Sequence, residues 1–256
     1  MVRLAIVGNG DRAARHVAAA RQTGGIEVVG VAGPESRTAI EDLLRGAEVD
    51  AIDVCIPLGQ ADELSRAAAR AGKRVVVEYL PGMSAAEADR LIADCQAAGR
   101  TLNLLRPGRW QPLVKDLKAT LDAGKLGPLR YAHAASVWHW SEDEQEARRA
   151  WGVPPAAEDA GQFLVEHATG TLDLLRWFFD DAPVARVFAR GCPLDGPEAD
   201  SWYVSIVLFF ADASQAICEV GLTSSFAENT GLQRLALTGL RGSAYYNERD
   251  ADVIVG

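Results

Sequence analysis

The residues best suited to chemistry begin with a glycine turn. Gly8-x-Gly10-x-x-Ala13 follows the apolar run Leu4 to Val7 and opens an alanine-rich stretch reaching about Arg21. In a strand-turn-helix unit the first glycine makes the tight turn. The second lets backbone approach a pyrophosphate, and a small third residue lets helix pack on strand. Asn9, Asp11 and Arg12 complete the turn, and the N–H groups at the helix start attract an anion. The reading is a cofactor site for NADP or NAD; the structural alternative is a tight turn that binds nothing. An acid about 20 residues on normally holds the adenosine ribose. Here the chain reads Ala32-Gly33-Pro34-Glu35-Ser36-Arg37, and Gly33 has no side chain to offer. Glu35 could reach a ribose, Ser36 and Arg37 could take a 2′-phosphate, or the turn is simply solvated. The nearby Arg37 tips the expectation toward NADP.

Further candidates lie downstream. Glu78 and Tyr79 follow three consecutive valines, at the end of an expected parallel strand, where ligands of open α/β sheets bind. A phenol there could donate a proton if a cation such as Arg109 lowered its pKa; otherwise Tyr79 fills space. Glu166 is a general acid or base on a strongly apolar helix, and His167 lies about 100° round from it. Trp110, Trp138 and His139 are candidate substrate contacts, although Trp138 and His139 face opposite sides of one strand. The six tryptophans suit an aromatic-lined cavity for a small aromatic or cyclic substrate, or else a core. The four histidines and four cysteines show no metal-ligand spacing and no Cys-x-x-Cys pair, so no metal is expected. A Gly-x-Ser-x-Gly elbow and a phosphate-loop motif are also missing.

These residues need a particular scaffold. Short apolar runs at Leu4–Val7, Ile26–Ala32, Ala51–Ile56, Arg74–Val77 and Leu102–Leu105 alternate with helical stretches, the pattern of a parallel α/β sheet. Ser84, with Glu87 three residues on, reads as a capping box for a helix to about Ala98. After Pro112 the texture changes. A helix (Leu113–Ala123), a long strand (Leu129–Trp138), a charged loop over 141–160 and a strong helix (Phe163–Phe179) come first. Strands follow at Val184–Arg190, Trp202–Phe210 and Gln215–Thr223, with a last one at Leu235–Thr238. The expected domains are 1–112, Rossmann-like and dinucleotide-binding, and 113–256, an α+β substrate and oligomerisation domain with a mostly antiparallel open sheet. A net charge of −9 disfavours nucleic acid and anionic membranes as partners. No run is long enough to span a bilayer. Unclustered cysteines fit reduced thiols in the cytoplasm. Long apolar stretches in the late strands point to a homodimer or homotetramer.

Taken together the segments resemble the Gfo/Idh/MocA oxidoreductases. Gly8-x-Gly10-x-x-Ala13-x-x-His16 is similar to that family's opening motif. Asp50-Ala51-Ile52-Asp53-Val54-Cys55-Ile56-Pro57 resembles its fourth Rossmann strand, and Ala71 to Glu78 resembles the strand before its Glu-Lys-Pro signature. Arg109-Trp110-Gln111-Pro112, Lys125-Leu126-Gly127-Pro128 and Thr171 to Trp177 have counterparts in the same order. The resemblance implies nicotinamide-dependent oxidation or reduction, with Ile56, Pro57 and Glu78 beside the cofactor. The departures fall on the chemistry. Glu-Lys-Pro becomes Glu78-Tyr79-Leu80, and the helix pattern Asp-x-x-x-His becomes Glu166-x-x-x-Gly170. The link between the second strand and Ala51 is also short by a helix and a strand. Three readings follow: a divergent NAD(P)-dependent oxidoreductase using Tyr79 and Glu166, a non-redox acid–base enzyme of dehydratase or cyclase type, or a ligand-binding pseudoenzyme. In each, Tyr79, Arg109 and Glu166 are expected to share one cleft.

Overall fold

The computed structural model describes residues 1–56, 58–78, 84–139, 160–193, 202–223, 231–247 and 252–255. The chain divides into two compact units, Met1–Leu105 and Arg106–Gly256.

In the first unit, β1 (Val2–Gly8), β2 (Ile26–Ala32), β3 (Ala51–Cys55), β4 (Arg74–Val77) and β5 (Leu102–Leu104) form one sheet in the order β2-β1-β3-β4-β5. Every pairing in it is parallel. Helices α1 (Gly10–Gln22), α2 (Arg37–Arg45), α3 (Leu58–Arg70) and α4 (Ala85–Ala97) make the crossovers. The strands read as continuous apolar runs because both faces are covered; all five residues of β3 are buried. Ser84 caps α4 in the expected box: the Glu87 N–H donates to Ser84 Oγ at 3.3 Å, and the Ser84 N–H donates to the Glu87 carboxylate at 3.0 Å. From β1 the chain passes to β2 on one side, and β3 then pairs on the other. That reversal is a topological switch point, where such sheets open a crevice beyond the strand C-termini. Gly8 and Cys55 face each other across it.

In the second unit, α5 (Pro112–Asp122) and β6 (Leu129–His139) precede α6 (Ala160–Phe178). Then come β7 (Val184–Pro193), β8 (Trp202–Phe210), β9 (Gln215–Thr223), β10 (Gly231–Gly239), β11 (Ser243–Asn247) and β12 (Asp252–Val255). The sheet order is β12-β11-β10-β6-β9-β8-β7. Only β6 with β9 is parallel; the other pairings are antiparallel. Alternation along β8 buries Val204, Ile206, Leu208 and Phe210. These pack in one core with Val114 and Leu117 of α5 and Leu174, Leu175 and Phe178 of α6. The opposite face carries the half-buried Tyr203, Val207 and Phe209. Two strands follow Leu235–Thr238 where the sequence showed none. β11 and β12 are too short for period-2 patterning to stand out, and pairing with β10 and with each other makes them strands. The expected loop over 141–160 lies outside the described residues apart from Ala160, which begins α6.

Candidate functional site

Backbone geometry builds the turn after β1. Asn9 is extended (φ −133°) and caps α1 without a side-chain hydrogen bond, so it does not cover the helix's leading N–H groups. Gly10 has φ +70°, and a Cβ there would meet no described atom within 4 Å. Gly8 differs. A Cβ on it would come within 2.5 Å of the Cys55 carbonyl oxygen and 2.7 Å of its Cβ. Gly8 therefore lets β1 and β3 approach, Gly10 supplies the left-handed conformation under open space, and the buried Ala13 seats the helix. Uncovered N–H groups at a helix start beneath open space fit a dinucleotide pyrophosphate. Asp11 is exposed in the first turn of α1, and Ile56 is buried beyond the end of β3. Pro57 and Tyr79 lie outside the described residues.

Behind the turn lies a charge cluster that the sequence did not reveal. His16 on α1 bridges the middle of β3 and the residue just after β4: Nδ1–H donates to Asp53 at 2.7 Å and Nε2–H to Glu78 at 3.0 Å. The Cys55 sulfur is 3.1 Å from the same Nδ1 and 3.5 Å from the second Asp53 oxygen. Arg12 Nε pairs with the other Glu78 oxygen at 3.1 Å. The Asp53 carboxylate holds the imidazolium most strongly, with Cys55 and Glu78 adding to it, and His16 rises to about 12 against the opposition of burial. Burial works to raise the Glu78 pKa, but His16 and Arg12 outweigh it and hold it low. Burial pushes the Cys55 thiol up. Thus Arg12 and Glu78, expected at the cofactor, are engaged with each other. The sequence spacing gave no metal site, yet His16, Asp53 and Cys55 offer three ligand atoms within 4.8 Å of one another. Their hydrogen bonding is that of an ion-paired imidazolium, with two cations facing two carboxylates. A signal was present: Asp53 is a lone acid in an otherwise apolar buried strand, and such a charge needs a partner.

In the second unit the candidates string along α6. Glu166, Gly170, Asp173 and Trp177 are spaced four, three and four apart and share one face, with Glu166 and Asp173 about 10 Å apart along the axis. Glu166 is 9% exposed. His167 packs its ring 5.1 Å from that of Phe163, with Nε2 3.9 Å from the Glu166 carboxylate. Gly170 is exposed, and a Cβ there would meet no described atom within 4 Å. Arg109 forks onto Asp173 at 2.7 and 2.6 Å and lies 5.5 Å from the Trp177 ring. Its guanidinium is spent tying the turn at residues 107–110 to α6, and it would have to leave that pair to hold a substrate. Trp110 is 74% exposed. Trp138 and His139 end β6, and their side chains lie outside the described set.

Comparison with known proteins settles the lineage. Residues 2–105 match the Gfo/Idh/MocA model described as an oxidoreductase family with an NAD-binding Rossmann fold, and residues 114–245 match the Gfo/Idh/MocA C-terminal domain. The chain belongs to the Gfo/Idh/MocA family. Inositol 2-dehydrogenase of Rhizobium meliloti (strain 1021) is 24% identical over 97% of this chain and 72% of its own length. The rhizopine catabolism protein MocA of Rhizobium meliloti is 24% identical over 98% and 81%. The fold is similar to an Azotobacter vinelandii inositol dehydrogenase homolog complexed with NAD+ (TM-score 0.82, 19% identity, 100% of this chain and 75% of that one). It is also similar to a Synechocystis biliverdin reductase complexed with biliverdin and NADP+ (TM-score 0.75, 20% identity, 100% and 85%). As a Gfo/Idh/MocA Rossmann domain the first unit is an NAD-binding fold, and its glycine turn is the part that suits a dinucleotide. No described helix is long and apolar enough to cross a membrane.

Proposed function

We propose that this chain is a divergent NAD(P)-dependent oxidoreductase acting on a small aromatic or cyclic substrate. The observation that carries the reading is the turn at Gly8–Ala13, with open space over Gly10 and no side-chain cap on α1. Gly8, Asn9, Gly10 and Ala13 would hold the pyrophosphate, and the bound dinucleotide would supply the hydride. Tyr79 would donate the proton at the substrate oxygen where relatives of this family carry lysine, and Glu166 would take the place of the acid on the helix. Burial of Glu166 in α6 keeps its carboxyl out of bulk water, which suits proton transfer. On this reading Tyr79→Phe and Glu166→Gln each lower kcat by about 100-fold or more, with little change in the affinity for NADH. If either variant turns over the cofactor like the parent on a panel of cyclic alcohols and ketones, that residue loses its role.

A second reading, acid–base chemistry without net redox, draws on Gly170, where the resemblance places a histidine. It is distinguished by product formation without consumption of NADH.

The chain is further proposed to work as a homodimer or homotetramer in the cytoplasm. The half-buried aromatics on the outer face of the second sheet, with Val187 and Phe188 exposed on its edge strand β7, support association. Light scattering at micromolar concentration should give at least twice the monomer mass; a monomer there removes the proposal.

A further inference from the structure

At the C-terminal end of β2 the chain departs from the usual dinucleotide site, because Gly33 carries no acid. The local backbone supplies one from two residues on. Ser36 N–H donates to the Gly33 carbonyl at 3.0 Å and Arg37 N–H to the Glu35 carbonyl at 3.1 Å, closing a tight turn just before α2. That turn folds Glu35 back over Gly33. The Glu35 carboxylate carbon stands 2.7 Å, and one of its oxygens 2.8 Å, from the point where a Cβ on Gly33 would be. The other carboxylate oxygen lies closer still, so the Glu35 carboxylate sits over the place where a side chain on Gly33 would begin. Register puts it level with the glycine turn: Val7 pairs with Ala32, so Gly33 follows β2 as Gly8 follows Val7. A Cβ at position 33 would meet the tip of the Glu35 side chain, so the two cannot hold these places together.

The cation that could welcome a 2′-phosphate is paired along its own helix. Arg37 has 92% of its side chain exposed and pairs along its own helix with Glu41 at 3.5 Å; Glu41 pairs in turn with Arg45 at 2.8 Å. The sequence expectation of NADP rested on Arg37 alone.

We infer that Glu35 is the specificity-determining residue of the cofactor site, accepting hydrogen bonds from the adenosine ribose hydroxyls and selecting NAD over NADP by repelling the 2′-phosphate. The inference rests on the dinucleotide reading above. An anionic acceptor favours a diol and opposes a phosphate that is itself about doubly charged.

The test measures NADH and NADPH affinities by fluorescence titration, independently of any turnover. Four proteins are compared: the parent, Glu35→Gln, Glu35→Ala, and Glu35→Ala combined with Gly33→Asp. The parent should bind NADH at least about tenfold more tightly than NADPH. Both single variants should bring that ratio close to one, and the double variant should restore the preference for NADH. A parent that binds NADPH as well as NADH overturns the inference, as does a ratio that Glu35→Gln leaves unchanged, while both leave the dinucleotide reading standing. A parent that binds neither removes the dinucleotide reading and this inference with it.

Discussion

Replacing His16 with alanine is expected to lower the unfolding free energy by about 3–5 kcal/mol, the range for breaking a buried ion pair from one side. Asp53 is 3% exposed and takes its 2.7 Å hydrogen bond from this imidazolium. Without it, among the described residues, the buried carboxylate keeps only the Cys55 thiol as a side-chain hydrogen-bond partner. His16→Gln should cost less, because an amide can donate to Asp53 without the charge. The same pair sets a pH dependence. His16 rises from 6.5 to about 12 on folding, so between those values the folded chain holds a proton that the unfolded chain has released. Its stabilisation is complete below 6.5 and is lost as pH climbs toward the folded value. The slope is at most about 1.4 kcal/mol per pH unit from this one group. Urea unfolding of the parent and of His16→Gln on both sides of 6.5 checks the sign: the gap between them should narrow as pH rises. A gap that widens, or an alanine variant as stable as the parent, would contradict the assignment.

The second large effect separates the two glycines of the turn. Gly10→Val should weaken NADH binding by at least about 100-fold, near 2.7 kcal/mol, and leave the unfolding transition cooperative. The valine would stand in the space that the pyrophosphate needs. Its φ of +70° adds local strain, but no described atom lies within 4 Å for it to strike. Gly8→Val should instead fail as a fold. Its Cβ would press on the Cys55 backbone, and a carbonyl 2.5 Å away in a parallel pairing cannot move without parting β1 from β3. Overpacking of this kind costs about 1–3 kcal/mol where neighbours can yield, and backbone yields least. Calorimetric melting alongside NADH titration distinguishes the two. Equal behaviour of the variants would remove the division of labour drawn between Gly8 and Gly10.

The first unit was legible because buried parallel strands announce themselves. Runs such as Leu4–Val7 and Arg74–Val77 leave few alternatives once helices alternate with them. The capping box at Ser84 and Glu87 was legible because both partners lie within one turn of chain. His16, Asp53 and Glu78 were each noticed within a motif but not as a cluster. Their contacts span 37 and 62 residues, and periodicity carries nothing about such separations. The ion pair of Arg109 was hidden for a similar reason: its partner Asp173 is 64 residues away. Arg37 lies near the ribose end in sequence, and that nearness carried nothing about its pairing with Glu41 one helical turn on. β11 and β12 escaped because four or five residues of ordinary composition become strand only through their neighbours.

Every proposed role depends on the turn after β1 binding a nicotinamide dinucleotide. The most direct measurement is a titration of the unmodified chain with NADH, read by fluorescence and repeated by calorimetry. Saturable one-to-one binding per chain is expected, with a dissociation constant on the order of 10 μM, abolished by Gly10→Val. No saturation by about 1 mM, or binding that Gly10→Val leaves intact, would contradict it.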